Sequence, residues 1–188
     1  MFFLVTLLTA LVVGASGVHA GETILEDTPE RLVLEVKVPS YGTTVFPEGI
    51  RGTGVSAPGY GGPGTPGAPE LPWLRFQIAA GARAPRVSVE PLEWTSMSVP
   101  GGLAAAPRWL TKTDAEPVRD EALFAAARGI QPSLSPVQPV RGLPVRTVSV
   151  PLGTYTGGER VNMMRTFRVR VDFAEPSSMA APGLRKWL

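Results

Sequence analysis

Apolar and polar residues alternate with period two along several stretches of this chain, and each stretch predicts a strand with one buried and one wet face. The first is Glu30–Val38, where Leu32, Leu34, Val36 and Val38 alternate with Arg31, Glu35 and Lys37. In Trp73–Ile78, Leu74, Phe76 and Ile78 oppose Trp73, Arg75 and Gln77. After a turn at Gly81–Pro85, Val87 and Val89 oppose Arg86, Ser88 and Glu90, and Pro91 marks a strand edge or a bulge. The short spacing between these last two stretches predicts that they pair as a hairpin. Near the end, Val148, Val150 and Leu152 share one side, Gly157-Gly158 supplies a turn, and a long strand follows. Val161, Met163, Phe167, Val169, Val171 and Phe173 line its apolar face, interrupted by Arg165, while Asn162, Met164, Thr166, Arg168, Arg170 and Asp172 line the other.

Between the strands the pattern lapses. From Gly52 to Pro72, 12 of 21 residues are Gly or Pro, a density predicting a long surface loop without a regular ladder, serving reach or contact. From Ser98 to Pro144 only one short helix is predicted, over Val118–Arg128, with Leu123 and Phe124 in an apolar stripe ending at Gly129. The prolines at 132, 136, 139 and 144 predict extended, polyproline-like coil. The fold class that follows is all-β: an antiparallel β-sandwich or open barrel with long Gly/Pro-rich loops and at most one short helix.

Composition narrows the chemistry. The chain has 188 residues, 44% of them hydrophobic, and a formal charge of +2, which predicts one globular domain. Phe2–Val13 is a nearly continuous apolar run followed by small residues and Val18-His19-Ala20, the outline of a secretory signal peptide cleaved before Gly21. Residues 1–20 are therefore expected to be a leader, 21–175 the β-domain, and 176–188 a C-terminal linker or tail. Cleavage would remove His19, the only histidine, from a chain without cysteine. The remainder could form neither a Ser-His-Asp nor a Cys-His couple, nor a zinc site of ordinary ligands. No cofactor or metal is expected.

Carboxylates do not restore an active site. Glu22, Glu26, Asp27 and Glu30 fall in the expected N-terminal tail, and Glu35, Glu90 and Asp172 lie on polar strand faces, the ordinary place of solvated charges. Lys37, Lys112 and Lys186 leave a Ser-Lys dyad formally open, yet none sits in a legible motif. Fifteen of the 18 basic residues are Arg, scattered through strands rather than gathered with aromatics, which argues against a nucleic-acid partner. Arg165 is expected to snorkel at a sheet rim or pair with a carboxylate.

The order of these segments resembles the N-terminal propeptide of the gingipain-like (C25) cysteine peptidases. Gly67, Pro69, Leu71 and Pro72 match the element that leads into a strand in that family, and Arg146, Val148, Val150, Pro151, Tyr155 and the 161–173 strand match its second half. The resemblance covers roughly Glu30–Phe173, and the catalytic domain with its Cys and His lies outside it. It implies a secreted, periplasmic or cell-surface domain without activity of its own, which helps a gingipain-like peptidase fold and keeps it latent, in cis or in trans. Such propeptides present a basic residue to the specificity pocket; Arg108, Lys112 and Arg119 are the candidates in this chain. The alternative is an exported β-sandwich module that binds carbohydrate or protein at the cell surface, with Trp73, Trp94 and Trp109 as stacking platforms.

Overall fold

The computed structural model describes residues 21–44, 46, 49–80, 83–111 and 115–174. The expected leader, the expected tail and Lys112 lie outside them. In chain order the elements are β1 (Glu22–Asp27), β2 (Arg31–Lys37), β3 (Gly42–Thr44), β4 (Gly54–Ser56), β5 (Trp73–Ala79), β6 (Arg86–Ser98), β7 (Arg108–Trp109), β8 (Ala115–Glu116), α1 (Glu121–Ala126), β9 (Ser133–Leu134), β10 (Gln138–Val140), β11 (Leu143–Pro151), β12 (Gly153–Thr154) and β13 (Arg160–Asp172). The fold is all-β, with every strand pair antiparallel.

Strand β13 is the axis of the larger sheet. Its whole length pairs with β6 on one side, and β2 and β12 share the other; β1 extends the sheet beyond β2. The second sheet is built on β11, flanked by β5 on one side and by β10 and β9 on the other. Both sheets stay open, and their apolar faces meet in one core: Leu34, Val36, Phe167 and Val169 from the first, Leu74, Ile78, Val148 and Val150 from the second.

Three expectations are corrected here. Strands β5 and β6 do not form a hairpin; the chain passes from one sheet to the other between them. A short connection signals a turn, but the longer ladders available to each strand decide the pairing: seven residue pairs join β5 to β11, and β6 runs along all of β13. Glu22, Glu26 and Asp27 sit on a strand rather than in a tail, since β1 pairs with β2 from Glu22↔Val36 to Asp27↔Leu32, and Glu30 lies in the turn between the two strands. The proline-spaced coil gives way to β9 and β10, which pair with β11, and Pro139, which cannot donate, sits in the outer strand β10.

The Gly/Pro tract also departs from its expectation. It carries β4, and Val55, Ala57, Ala68 and Leu71 belong to the buried interior. Its main chain bonds to the segment after β6: Thr53 N–H donates to Gly102 at 2.9 Å, Ala104 N–H to Thr53 at 3.1 Å, and Glu70 N–H to Ala104 at 2.9 Å. Gly52, at φ +93°, allows this approach, because a Cβ there would lie 2.8 Å from the Gly102 carbonyl oxygen. The tract is an irregular layer of the fold, with exposed turns between buried positions.

Arg165 does not break the apolar face. The β13–β6 ladder skips Arg165 on one strand and Leu92 on the other, so two opposed bulges cancel and residues 161, 163, 167, 169 and 171 keep a common side. Met163 and Met164 are both fully buried while Arg165 is exposed, and its carbonyl accepts from Val38 N–H at 2.9 Å. Helix α1 lies inside the predicted helical span. Asp120 caps it by accepting from Ala122 and Leu123 N–H, and Phe124 is its buried residue.

Candidate functional site: the β7–β8 ribbon and its base

Strands β7 and β8 form a two-stranded ribbon that joins neither large sheet. Arg108 faces Glu116 and Trp109 faces Ala115 across it. The Arg108 guanidinium meets the Glu116 carboxylate at 3.4 Å, an exposed pair of modest strength. So small a ribbon has little stability of its own, and its order must come from its base.

That base is built by the matched residues of the Gly/Pro tract. Gly67 N–H donates to the Ala106 carbonyl at 2.8 Å, and the Gly67 carbonyl accepts from Asp120 N–H at 3.0 Å. Gly67 therefore holds both ends of the excursion that carries the ribbon. Its φ is +85°, and a Cβ there would lie 3.1 Å from the Asp120 nitrogen. Pro69 bridges to Ala105, Ala106 N–H donates to the Ala68 carbonyl at 2.7 Å, and Leu71 is buried. The Pro72 carbonyl accepts from Leu152 N–H at 2.9 Å, joining this base to the end of β11.

The other matched residues are structural as well. Tyr155 N–H donates to the Ala127 carbonyl at 2.9 Å, its ring meets Phe124 edge-on at 6.0 Å, and its hydroxyl donates to the Gly158 carbonyl at 2.8 Å. Leu103 N–H reaches that hydroxyl at 3.4 Å. Pro151 pairs with Trp73, and Arg146 donates to the Ser135 carbonyl at 2.9 Å.

Of the basic candidates, Arg119 is engaged twice. Its guanidinium lies 3.6 Å from the Phe124 ring centroid and 2.5 Å from the Glu121 carboxylate. It also lines a cleft of about 400 Å³ between Gly49–Arg51 and Pro117–Arg119 beside the ribbon base. Arg108 and Arg119 thus flank one excursion from the fold. The three tryptophans are separated: Trp73 is half-buried on β5 with Arg75 over its ring at 5.9 Å, Trp94 is on β6, and Trp109 is on the ribbon. The sequence pattern offered Trp109 as an exposed platform but gave no sign of the exposed Leu110 beside it or of the Gly67 clamp. Asp120-Glu121 ahead of Ala122-Leu123-Phe124 is a helix-start signal that could have located the second end of the excursion.

Charge elsewhere is arranged across the strands. Arg31 bonds Asp172 at 2.8 Å, Arg170 bonds it at 2.9 Å, and Arg168 meets Glu35 at 3.2 Å. The hydrogen bond from Arg31, reinforced by Arg170, holds the Asp172 carboxyl below the usual carboxylate range. Glu70, whose side chain lies against Gly54 and Gly62, is different: burial pushes its carboxyl up. Burial also pushes the Tyr60 hydroxyl up to about 12, with Glu22 adding to the effect. Among the described residues, no three His, Cys, Asp or Glu side chains gather into a group that could hold a metal, and no helix is long and apolar enough to cross a membrane.

Among the solved structures that match, two superpose on most of this chain. One, concerning the zymogenic latency of gingipain K from Porphyromonas gingivalis, superposes with a TM-score of 0.58 at 16% identity, covering 86% of this chain and 95% of that one. The fold is gingipain-propeptide-like. The other, a complex of Porphyromonas gingivalis RgpB pro- and mature domains, gives 0.60 at 13% identity, covering 85% and 87%. No protein-family model matches the chain, and no curated protein matches its sequence. In this propeptide-like fold the matched residues Gly67, Pro69, Leu71, Pro72 and Tyr155 surround the ribbon base and α1.

Proposed function

We propose that this chain is an exported, non-catalytic propeptide-like domain that assists folding of a gingipain-like cysteine peptidase and holds it latent by laying the β7–β8 ribbon across its active-site cleft. The observation that carries the reading is the clamped ribbon within a gingipain-propeptide-like fold: a small excursion, fixed at both ends by Gly67, with Arg108 in it and Arg119 at its foot. Lys112 lies between β7 and β8 in sequence. A basic side chain from this set would enter the specificity pocket of the peptidase. Arg108 is held by Glu116 and Arg119 by Glu121 and Phe124, so each would have to leave an exposed ion pair, a small cost.

The domain spans 21–175, with the leader at 1–20 removed on export and 176–188 serving as linker or tail. The partner is the catalytic domain, in cis or in trans. The test is inhibition of a mature gingipain-like peptidase by the purified chain, compared with the Arg108→Ala, Lys112→Ala, Arg119→Ala triple variant. Loss of inhibition with retained folding is expected. Inhibition undiminished in the triple variant would remove the assignment of these three residues.

A further inference from the structure

Leu110, at 60% exposure, and Trp109, at 52%, are the most exposed large hydrophobic residues among those described, and they are adjacent. Neither belongs to the core or packs against it. Trp109 faces Ala115 across the ribbon, and a methyl group leaves most of an indole uncovered. Scattered apolar residues on a surface need no explanation, but a Trp-Leu pair on a small ribbon does, since it weakens solubility and gives the fold nothing in return.

The neighbouring charges point the same way. Arg108 precedes Trp109 directly and is matched by Glu116 across the ribbon, which neutralises this part of the excursion. The exposed Trp109 and Leu110 therefore sit beside a neutralised ion pair. Its mounting is rigid: Ala106 is buried and held by Gly67 and Ala68, and Asp120 is held by Gly67. Pre-ordering of the support lowers the entropic cost of association, and an aromatic anchor flanked by polar residues is the usual composition of a binding hot spot.

We infer that Trp109 and Leu110 are the principal affinity anchor of the ribbon and seat on an apolar rim of the substrate cleft in the catalytic domain of a gingipain-like cysteine peptidase. This inference rests on the function proposed above. It divides the labour within the ribbon: the basic side chain blocks the specificity pocket, and the Trp-Leu pair supplies most of the binding. Because an apolar contact is little affected by screening, the association is expected to weaken only slightly between low and high salt.

The experiment measures binding of the full chain to the mature catalytic domains of RgpB and gingipain K, at low and high salt, alongside thermal unfolding of each variant. Trp109→Ala with Leu110→Ala is expected to weaken binding by roughly 10- to 100-fold, while the conservative pair Trp109→Phe with Leu110→Met retains it. Unfolding midpoints should not move, because both side chains lie outside the core. The Arg108→Ala, Lys112→Ala, Arg119→Ala variant should still bind while inhibiting less. Equal binding by the parent chain and the double-alanine variant would overturn the anchor and leave the proposed function standing, as would a lowered unfolding midpoint that accounts for the loss. If the parent chain binds neither enzyme, the proposed function itself falls, and the anchor with it.

Discussion

Gly67 shows how much one residue can hold. It donates to Ala106 and accepts from Asp120 in a left-handed conformation, and a Cβ would fit only tightly, 3.1 Å from the Asp120 nitrogen. Gly67→Ala is expected to destabilise the domain by about 1–3 kcal/mol, from backbone strain and the displaced segment together; urea unfolding measures it. Glu70 gives a prediction of opposite character. Burial raises its folded-state pKa above the unfolded value, so its contribution to stability is fully present below the unfolded pKa and is lost as pH rises through the folded one. Glu70→Gln is therefore expected to raise the unfolding midpoint at neutral pH and to leave it unchanged in acid, where both side chains are neutral. Asp172 runs the other way. Its lowered pKa means stability present above the unfolded value and lost as pH falls through the folded one, and screening at this partly exposed site keeps that contribution small.

At the scale of the element, β13 separates what alternation can reveal from what it cannot. The apolar series at 161, 163, 167, 169 and 171 located the strand and its buried face directly. Arg165 and Met164 looked misplaced because period two assumes an unbroken ladder, and paired bulges at Arg165 and Leu92 leave no local signature. Met164→Ala should cost about 2–4 kcal/mol, like other deletions from a packed core, whereas Arg165→Ala should change stability by less than about 0.5 kcal/mol; equal effects would contradict the bulge. The ribbon was less legible still. Gly and Pro read as punctuation in a linear scan, so the role of Gly67 as a partner of Ala106 and Asp120 depended on contacts distant in sequence. Pairing suffered from the same limit: the face of β5 was readable, but its neighbour β11 lies some seventy residues away and no local pattern names it.

Across the whole molecule, strands from opposite ends of the chain, β2 and β13, are tied together. β2 pairs with β13 from Lys37↔Thr166 to Arg31↔Asp172, and both sheets contribute to one core. Unfolding followed by tryptophan fluorescence and by far-ultraviolet circular dichroism should therefore give coincident transitions. Deleting residues 21–37 should abolish that cooperative transition, because β13 would lose one of its long partners and the core would lose Leu32, Leu34 and Val36. The all-β class was readable from the sequence because strand faces are a local property; the division of the strands between two sheets is a property of the assembled chain.

The clamp at Gly67 has a mechanical consequence. Since the two feet of the excursion are fastened separately to the body, through Ala106 and through Asp120, a nick between Trp109 and Ala115 would leave two short stubs on an intact scaffold. Under the proposed function, grip on a bound enzyme would slacken while the sandwich stayed whole, and such a domain would let go by losing its finger rather than by melting.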